Sequence, residues 1–206
     1  MARKIDPAVA ASVSEAVRSV ERSSSVELVV EVRPRSGSYA IADTHFAVLT
    51  AFATLVFVLF SPWTFAPEWV PVIVVVGYGI GQFTSAASNP IRRAMTRTRD
   101  REARVRTTAA ASFVERGVGK TRRETGLLVY LSQLERRIEL IADRGVLDAV
   151  PVLEWNQLAA SIRTRKVRIE DLPDVLRALE PILVRHLPVA VGDVDELSDE
   201  VRVVSE

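Results

Sequence analysis

Hydrophobic residues are concentrated in one block of the chain, residues 44–91, whose single formal charge is Glu68. The block has two apolar arms, each close to the roughly 20 residues that an α-helix needs to cross a bilayer. The segment between them contains prolines and aromatic residues such as Trp63, which are typical of a turn at a membrane–water interface. The pattern therefore predicts a transmembrane hairpin with helices over about 44–61 and 69–88.

Two other interpretations of the block stay open, a buried hairpin of a soluble protein and a pair of re-entrant segments. A core helix of a soluble protein normally carries a polar face, and neither arm has one. The second arm also contains the GxxxG motif Gly77–Gly81. Small residues at this spacing let two helices approach closely. We expect these glycines to pack the two arms together, with homodimerisation as the alternative.

The charges that flank the block predict its orientation. Residues 92–106 contain seven arginines and two acidic residues, whereas the turn between the arms has no Lys or Arg. Positive residues near membrane helices stay on the cytoplasmic side, so we expect a multi-pass protein of the cell (inner) membrane with both termini cytoplasmic. Five arginines next to the second arm are expected to contact anionic lipid head groups. They are Arg92, Arg93, Arg97, Arg99 and Arg101.

Outside the block, helix and strand patterns alternate. Apolar residues recur at helical spacing near the N-terminus and again in the last third of the chain, and three short segments have the alternation or apolar runs of strands. The predicted helices are about 7–22, 91–117, 152–165 and 171–183, the last interrupted or kinked near Pro181, and the predicted strands are 26–32, 126–132 and 136–142. Residues 143–145 are predicted to form a turn.

These elements predict an α/β fold, a small mixed sheet covered by helices, with the hairpin inserted after the first strand. The expected organisation is a first soluble part, the hairpin, a basic stem with a second soluble part, and an acidic, mostly unstructured tail in which VRVV forms a short extended piece. The corresponding ranges are 1–38, 44–91, 92–188 and 189–206.

Several kinds of chemistry are excluded by composition and spacing. The chain has no cysteine, which rules out disulfides, thiolate metal sites and cysteine nucleophiles. The segment GVGKT, residues 117–121, lacks the first glycine of a phosphate loop and follows a helix, so we interpret it as a helix terminator. No aromatic residues are interleaved with the arginines of 92–106, which argues against a nucleic-acid partner. Five glutamates are expected on the solvated surface: Glu27, Glu31, Glu115, Glu124 and Glu135.

The segments SSSVELVVEVRPRSGSY and TRRETGLLVYLSQLERRIELIADRGV, followed by a helix around Trp155 and an amphipathic last helix, resemble the TPM-domain family. That family is named after a thylakoid lumen protein, a photosystem II repair factor and a receptor-modulating membrane protein. The chain resembles in particular its bacterial branch with two inserted membrane helices. The resemblance covers roughly residues 8–35 and 105–190 and implies an α/β/α sandwich.

The resemblance also implies two functions. Family members are associated with the assembly or repair of membrane complexes, and with calcium binding and acid-phosphatase activity at loops on one sheet edge. We expect a non-catalytic, membrane-anchored adaptor with an unidentified membrane protein as partner. The alternative is a metal-dependent phosphatase-like activity with calcium or magnesium. In that case the resemblance places the metal at Asp143 and Asp148.

Overall fold

The structure, a computed structural model, describes residues 6–189 and 202–203. The described chain forms two compact units. The sheet unit contains residues up to Ser36 and from Glu102 onward, and the hairpin unit contains Gly37–Arg101. The fold is mixed α/β, as predicted, and the second unit lies within the chain of the first. Most of the predicted acidic tail lies outside the described residues.

The sheet unit begins with helix α1 (Pro7–Ser23), strand β1 (Glu27–Arg33) and the connecting residues to Ser36. Asp6 caps α1 by accepting a hydrogen bond from the backbone N–H of Ala8 at 2.9 Å, which satisfies one of the free donors at a helix start. Further helices and strands follow in the chain. They are α5 (Thr98–Glu115, whose first residues belong to the hairpin unit), β2 (Gly126–Ser132), β3 (Arg137–Ala142), α6 (Arg144–Ala149), α7 (Val152–Thr164), α8 (Leu172–His186) and β4 (Arg202–Val203).

Within the described residues the sheet has the strand order β3-β2-β1-β4. β1 runs parallel to β2 with Val30 opposite Val129, and parallel to the two-residue β4. β2 and β3 form an antiparallel hairpin. One face of the sheet packs against α1, α7 and α8, and the other packs against α5. The sheet is therefore covered on both faces, and β1 and β2 are buried along most of their length.

The hairpin unit contains α2 (Ala40–Phe60), a 3₁₀ turn (Pro67–Trp69), α3 (Val70–Ala87) and α4 (Asn89–Met95). The predicted pair of apolar helices is present, and the helix predicted over 91–117 is interrupted. Residue Thr96 has an extended backbone with φ −118° and ψ 130°, which separates α4 from α5.

Three local predictions about the sheet unit are wrong. Residues 144–149 form α6 instead of a turn, because the side chain of Asp143 caps a helix start. The last helix is not interrupted at Pro181, which lies inside α8, and α8 continues to His186. The glutamates Glu31 and Glu135 are buried instead of solvated. The alternation of β1 predicted a solvated sheet face, but α5 and the connecting loops cover that face. In contrast, Gly117 adopts a left-handed backbone with φ 66°, as expected of a helix terminator.

Candidate functional site

The outward surfaces of α2 and α3 are apolar and exposed. Phe52, Phe60 and Phe83 are 63%, 82% and 76% exposed. Among the described residues, two segments are long and apolar enough to cross a membrane, Ala40–Phe60 and Pro67–Ala87, each of 21 residues. A core helix of a soluble protein would bury such residues, whereas these two helices present them outward.

The inner surfaces of the same helices meet through Gly77 and Gly81. A Cβ atom at Gly81 would lie 2.7 Å from Oγ1 of Thr50 and 2.9 Å from Cα of Ala47, and one at Gly77 would overlap Thr54. Both threonine hydroxyls donate to carbonyl oxygens four residues earlier on α2, so they are satisfied without water. At these two positions the absence of a side chain lets α3 approach α2 closely.

A buried polar cluster closes the base of the hairpin unit. Arg92 on α4 donates to both carboxylate oxygens of Asp43, from Nε at 2.9 Å and from Nη2 at 2.6 Å. Ser85 near the end of α3 donates to the same carboxylate at 2.8 Å. Asp43 is 4% exposed, so this ion pair is largely removed from solvent. This cluster joins α4 to the start of α2 and to the end of α3.

The five arginines expected at a membrane surface have different environments. Arg92 is held by Asp43, and its side chain is only 13% exposed. Arg93 lies beside it on α4, and Arg97, just before α5, and Arg99, in its first turn, are exposed. Arg101 donates to the hydroxyl of Thr98 at 3.0 Å. Arg92 therefore serves the hairpin unit, while Arg97 and Arg99 present their side chains to solvent.

A second buried polar cluster lies on the α5 face of the sheet, around Glu31. This carboxylate is 0% exposed and accepts from Nε of Arg33 at 2.6 Å, Nε of Arg116 at 2.9 Å and Oγ of Ser112 at 3.1 Å. Burial by itself raises the pKa of Glu31, but the hydrogen bonds and charges of the two arginines outweigh it and hold the pKa below the ordinary value of 4.5. Glu31 is therefore a buried carboxylate that stays ionised.

The loop that leads toward the hairpin is fixed by a third group of contacts. Ser36 donates its backbone N–H to Oε1 of Glu135 at 3.0 Å and shares a 2.8 Å hydrogen bond with the hydroxyl of Tyr130. Its carbonyl oxygen accepts from the hydroxyl of Thr108 on α5 at 2.9 Å, and the other oxygen of Glu135 bonds to Ser132. Burial raises the pKa of Tyr130 to about 12, against the opposing effect of the Ser36 hydrogen bond. Every polar group of Ser36 is thus bound within the sheet unit.

The two aspartates expected to hold a metal stand close in sequence but in different environments. Asp148 is an exposed residue that lies 3.3 Å from Nε of Arg144. Asp143 accepts from the backbone N–H of Arg144 through Oδ1, while its Oδ2 is buried near Gly119 with no hydrogen-bond partner among the described residues. In the part of the chain that the structure describes, no three His, Asp or Glu side chains are grouped as metal ligands.

Sequence reasoning missed the three polar clusters for one reason. Asp43, Arg92 and Ser85 come from three different helices, and Glu31 and Arg116 are 85 positions apart in the chain. A charge in the first turn of an apolar helix, as at Asp43, was an available signal. No local signal in the sequence indicated that Glu31 is buried, because its burial depends on where α5 packs.

The comparisons with known proteins concern the fold alone. No protein-family model matches the chain, and no curated protein matches it. The chain is similar to the NMR structure of the BA42 protein from the psychrophilic bacterium Bizionia argentinensis, with a TM-score of 0.58 and 13% sequence identity. The similarity covers 99% of this chain and 98% of that one. At this identity the similarity shows a shared fold alone.

Proposed function

We propose that the protein is a membrane-anchored, TPM-like α/β domain that serves as a non-catalytic adaptor, an assembly or maintenance factor for a membrane protein complex. The observation that carries the proposal is the exposed apolar surface of α2 and α3. Side chains such as Phe52 and Phe60 need an apolar environment, which the hydrocarbon core of a bilayer supplies over the length of both helices.

The flanking residues support an orientation with both termini cytoplasmic. Exposed arginines such as Arg97 and Arg99 follow the hairpin, and the turn at its other end carries Glu68 and no basic residue. In that turn Trp63 and Phe65 pack edge-on against Phe57, with ring centroids 6.0 and 6.5 Å apart. Aromatic rings of this kind favour the interface between lipid tails and head groups.

The buried carboxylates support a role without catalysis. Glu31 and Asp43 are each held by arginine, and Glu135 is held by Ser36 and Ser132. A general acid or base needs an accessible carboxylate with a proton to exchange. These groups stabilise the two units instead and leave outer surfaces for contact with a partner.

Photocrosslinking within the membrane tests the adaptor proposal directly. A photoreactive residue at Phe52, which points outward, should give a stoichiometric adduct with another membrane protein in intact cells. The matched control is Val58 on the same helix, which is 7% exposed and is replaced by a diazirine-bearing residue close to leucine in size, and its only protein adducts should lie within the chain. An adduct of twice the chain mass would identify a second copy. Adducts with lipid alone at Phe52 and at other outward positions would contradict the adaptor role.

A second candidate function, phosphatase-like chemistry with calcium or magnesium, is favoured by one observation. The buried, unpartnered Oδ2 of Asp143 is the kind of oxygen that binds a hard cation. Calcium takes six to eight oxygen ligands, and Asp148 is engaged with Arg144, so the side chains present fit such an ion poorly. This candidate predicts that millimolar calcium raises the melting temperature and that Asp143→Asn removes the rise. An unchanged melting temperature would eliminate it.

A further inference from the structure

The chain leaves the sheet unit and returns to it at the same end of the sheet. β1 ends there, and the backbone N–H of Leu134 in the β2–β3 turn donates to the carbonyl of Pro34 at 2.9 Å. Ser36 is the last residue before the hairpin unit. The first residue after it, Glu102, pairs with Nη2 of Arg137 at 2.7 Å. Both connections to the hairpin therefore lie next to the β2–β3 turn.

A group of basic residues, which we name the turn patch, surrounds this turn. The loop after α7 is tied to it, because the N–H of Val167 donates to the carbonyl of Arg136 at 3.3 Å and Nη1 of Arg137 donates to the carbonyl of Arg163 at 2.8 Å. These contacts bring two segments together that are about 30 residues apart in sequence. The turn patch consists of Arg136, Arg165, Lys166 and Arg168.

The turn patch carries net positive charge, because its four cations outnumber the two exposed acids beside it, Glu170 and Asp171. Glu139 is engaged by Arg163 at 2.5 Å, and Asp171 accepts the backbone N–H of Arg168 at 2.8 Å. No side chain of the turn patch forms an ion pair with a carboxylate within residues 6–189. Arg165, Lys166 and Arg168 are exposed and Arg136 is half-buried, so four cations face solvent at one end of the unit.

We infer that the turn patch binds the anionic head groups of the bilayer in which the hairpin is inserted. The inference rests on the proposed membrane anchoring and extends it to residues outside the arginine-rich segment 92–106. Two observations select the bilayer as partner, the excess of positive charge and its position at the sheet end from which both connections to the hairpin depart. Each basic residue close to an anionic membrane surface strengthens binding by about fivefold at physiological salt.

The experiment uses the full chain in lipid nanodiscs, with energy transfer from a labelled cysteine to acceptor-labelled head groups. The donor is placed at Lys166→Cys, which leaves three cations in the turn patch. The matched control is Val152→Cys, an exposed position at the other end of α7 and about 18 Å along the helix axis. Discs of phosphatidylcholine alone are compared with discs that contain phosphatidylglycerol.

We expect transfer at position 166 to exceed transfer at 152, to rise with phosphatidylglycerol content and to fall in high salt. Adding Arg165→Gln and Arg168→Gln should lower the head-group-bound population about 25-fold and remove the lipid dependence. Equal transfer at both positions in all discs, or a lipid response that survives these substitutions, would overturn the inference. A response to RNA or an acidic peptide without one to phosphatidylglycerol would assign the turn patch to a soluble polyanion and also overturn it. Failure of the chain to enter discs would instead contradict the proposed anchoring.

Discussion

Replacement of Glu31 by alanine should destabilise the sheet unit selectively. The carboxylate is fully buried and bound by Arg33, Arg116 and Ser112 at 2.6, 2.9 and 3.1 Å. Removing one partner of a buried ion pair typically costs about 3–5 kcal/mol. The side chains of Arg33 and Arg116 are 23% and 28% exposed, so water can solvate part of each freed guanidinium group. We therefore expect a loss near the lower limit, about 3 kcal/mol.

Hydrogen exchange of the full chain in mild detergent measures this loss locally. A destabilisation of about 3 kcal/mol lowers the protection of amides in β1 and β2 by about 100-fold where they exchange through unfolding of the unit. The matched control is Glu115→Ala, since Glu115 is 65% exposed and lies 3.5 Å from the same Arg33. Exposed pairs contribute at most about 1 kcal/mol. Peptides from α2 and α3 serve as the internal reference, and equal, small effects of both substitutions would refute the reasoning.

The pH dependence of stability gives the same carboxylate a second test. The pKa of Glu31 lies below 4.5 in the folded protein because Arg33 and Arg116 favour the ionised form. Its contribution to stability is therefore present above about pH 4.5 and is lost as the pH falls through the lower, folded-state pKa. Glu31→Gln should flatten the acid limb of a curve of melting temperature against pH. An unchanged acid limb would show that other groups control it.

Three further predictions concern other parts of the structure. Gly81→Val should lower the melting temperature by overpacking the hairpin, at a cost of about 1–3 kcal/mol, while Gly79→Val should have little effect because a side chain there meets open space. Asp43→Ala and Arg92→Ala should each destabilise the hairpin unit, and the double-mutant cycle should give a coupling of about 1–3 kcal/mol; additive effects would contradict the buried ion pair. Because the folded-state pKa of Tyr130 is about 12, its neutral form stabilises the fold up to about pH 10. This contribution to stability is lost as the pH rises toward 12, and Tyr130→Phe should abolish that loss.

The elements that sequence reasoning located best are those with strong local patterns. The apolar run of β2 was predicted at its observed bounds, Gly126–Ser132, and α1, α2 and α3 were predicted within a few residues. Hydrophobic periodicity and start or stop residues are local properties, so they can be evaluated from a short window. The GxxxG spacing of Gly77 and Gly81 was also visible in the sequence, but it could not by itself distinguish packing of the two arms from homodimerisation.

The failures arose where structure depends on distant parts of the chain. The alternation of β1 placed Glu31 on a solvated face, but α5, about 80 residues later, covers that face, and Ser112 of α5 and Arg116 just after it bind the carboxylate. The turn patch was missed for the same reason, because Arg136 and the segment 165–168 come together only through the tertiary contact at Val167. Local patterns identify a polar residue, whereas its solvation and its partners are set by packing.

Cysteine labelling in intact cells tests membrane anchoring most directly, and the chain has no native cysteine to interfere. Thr64→Cys lies in the exposed turn between α2 and α3, and Asp174→Cys lies at an exposed position of the sheet unit. With a membrane-impermeant maleimide, we predict labelling at position 64 in intact cells and labelling at 174 only after lysis. Labelling at 174 but not at 64 would reverse the orientation. Recovery of the unlabelled protein in the soluble fraction would contradict the membrane hairpin itself.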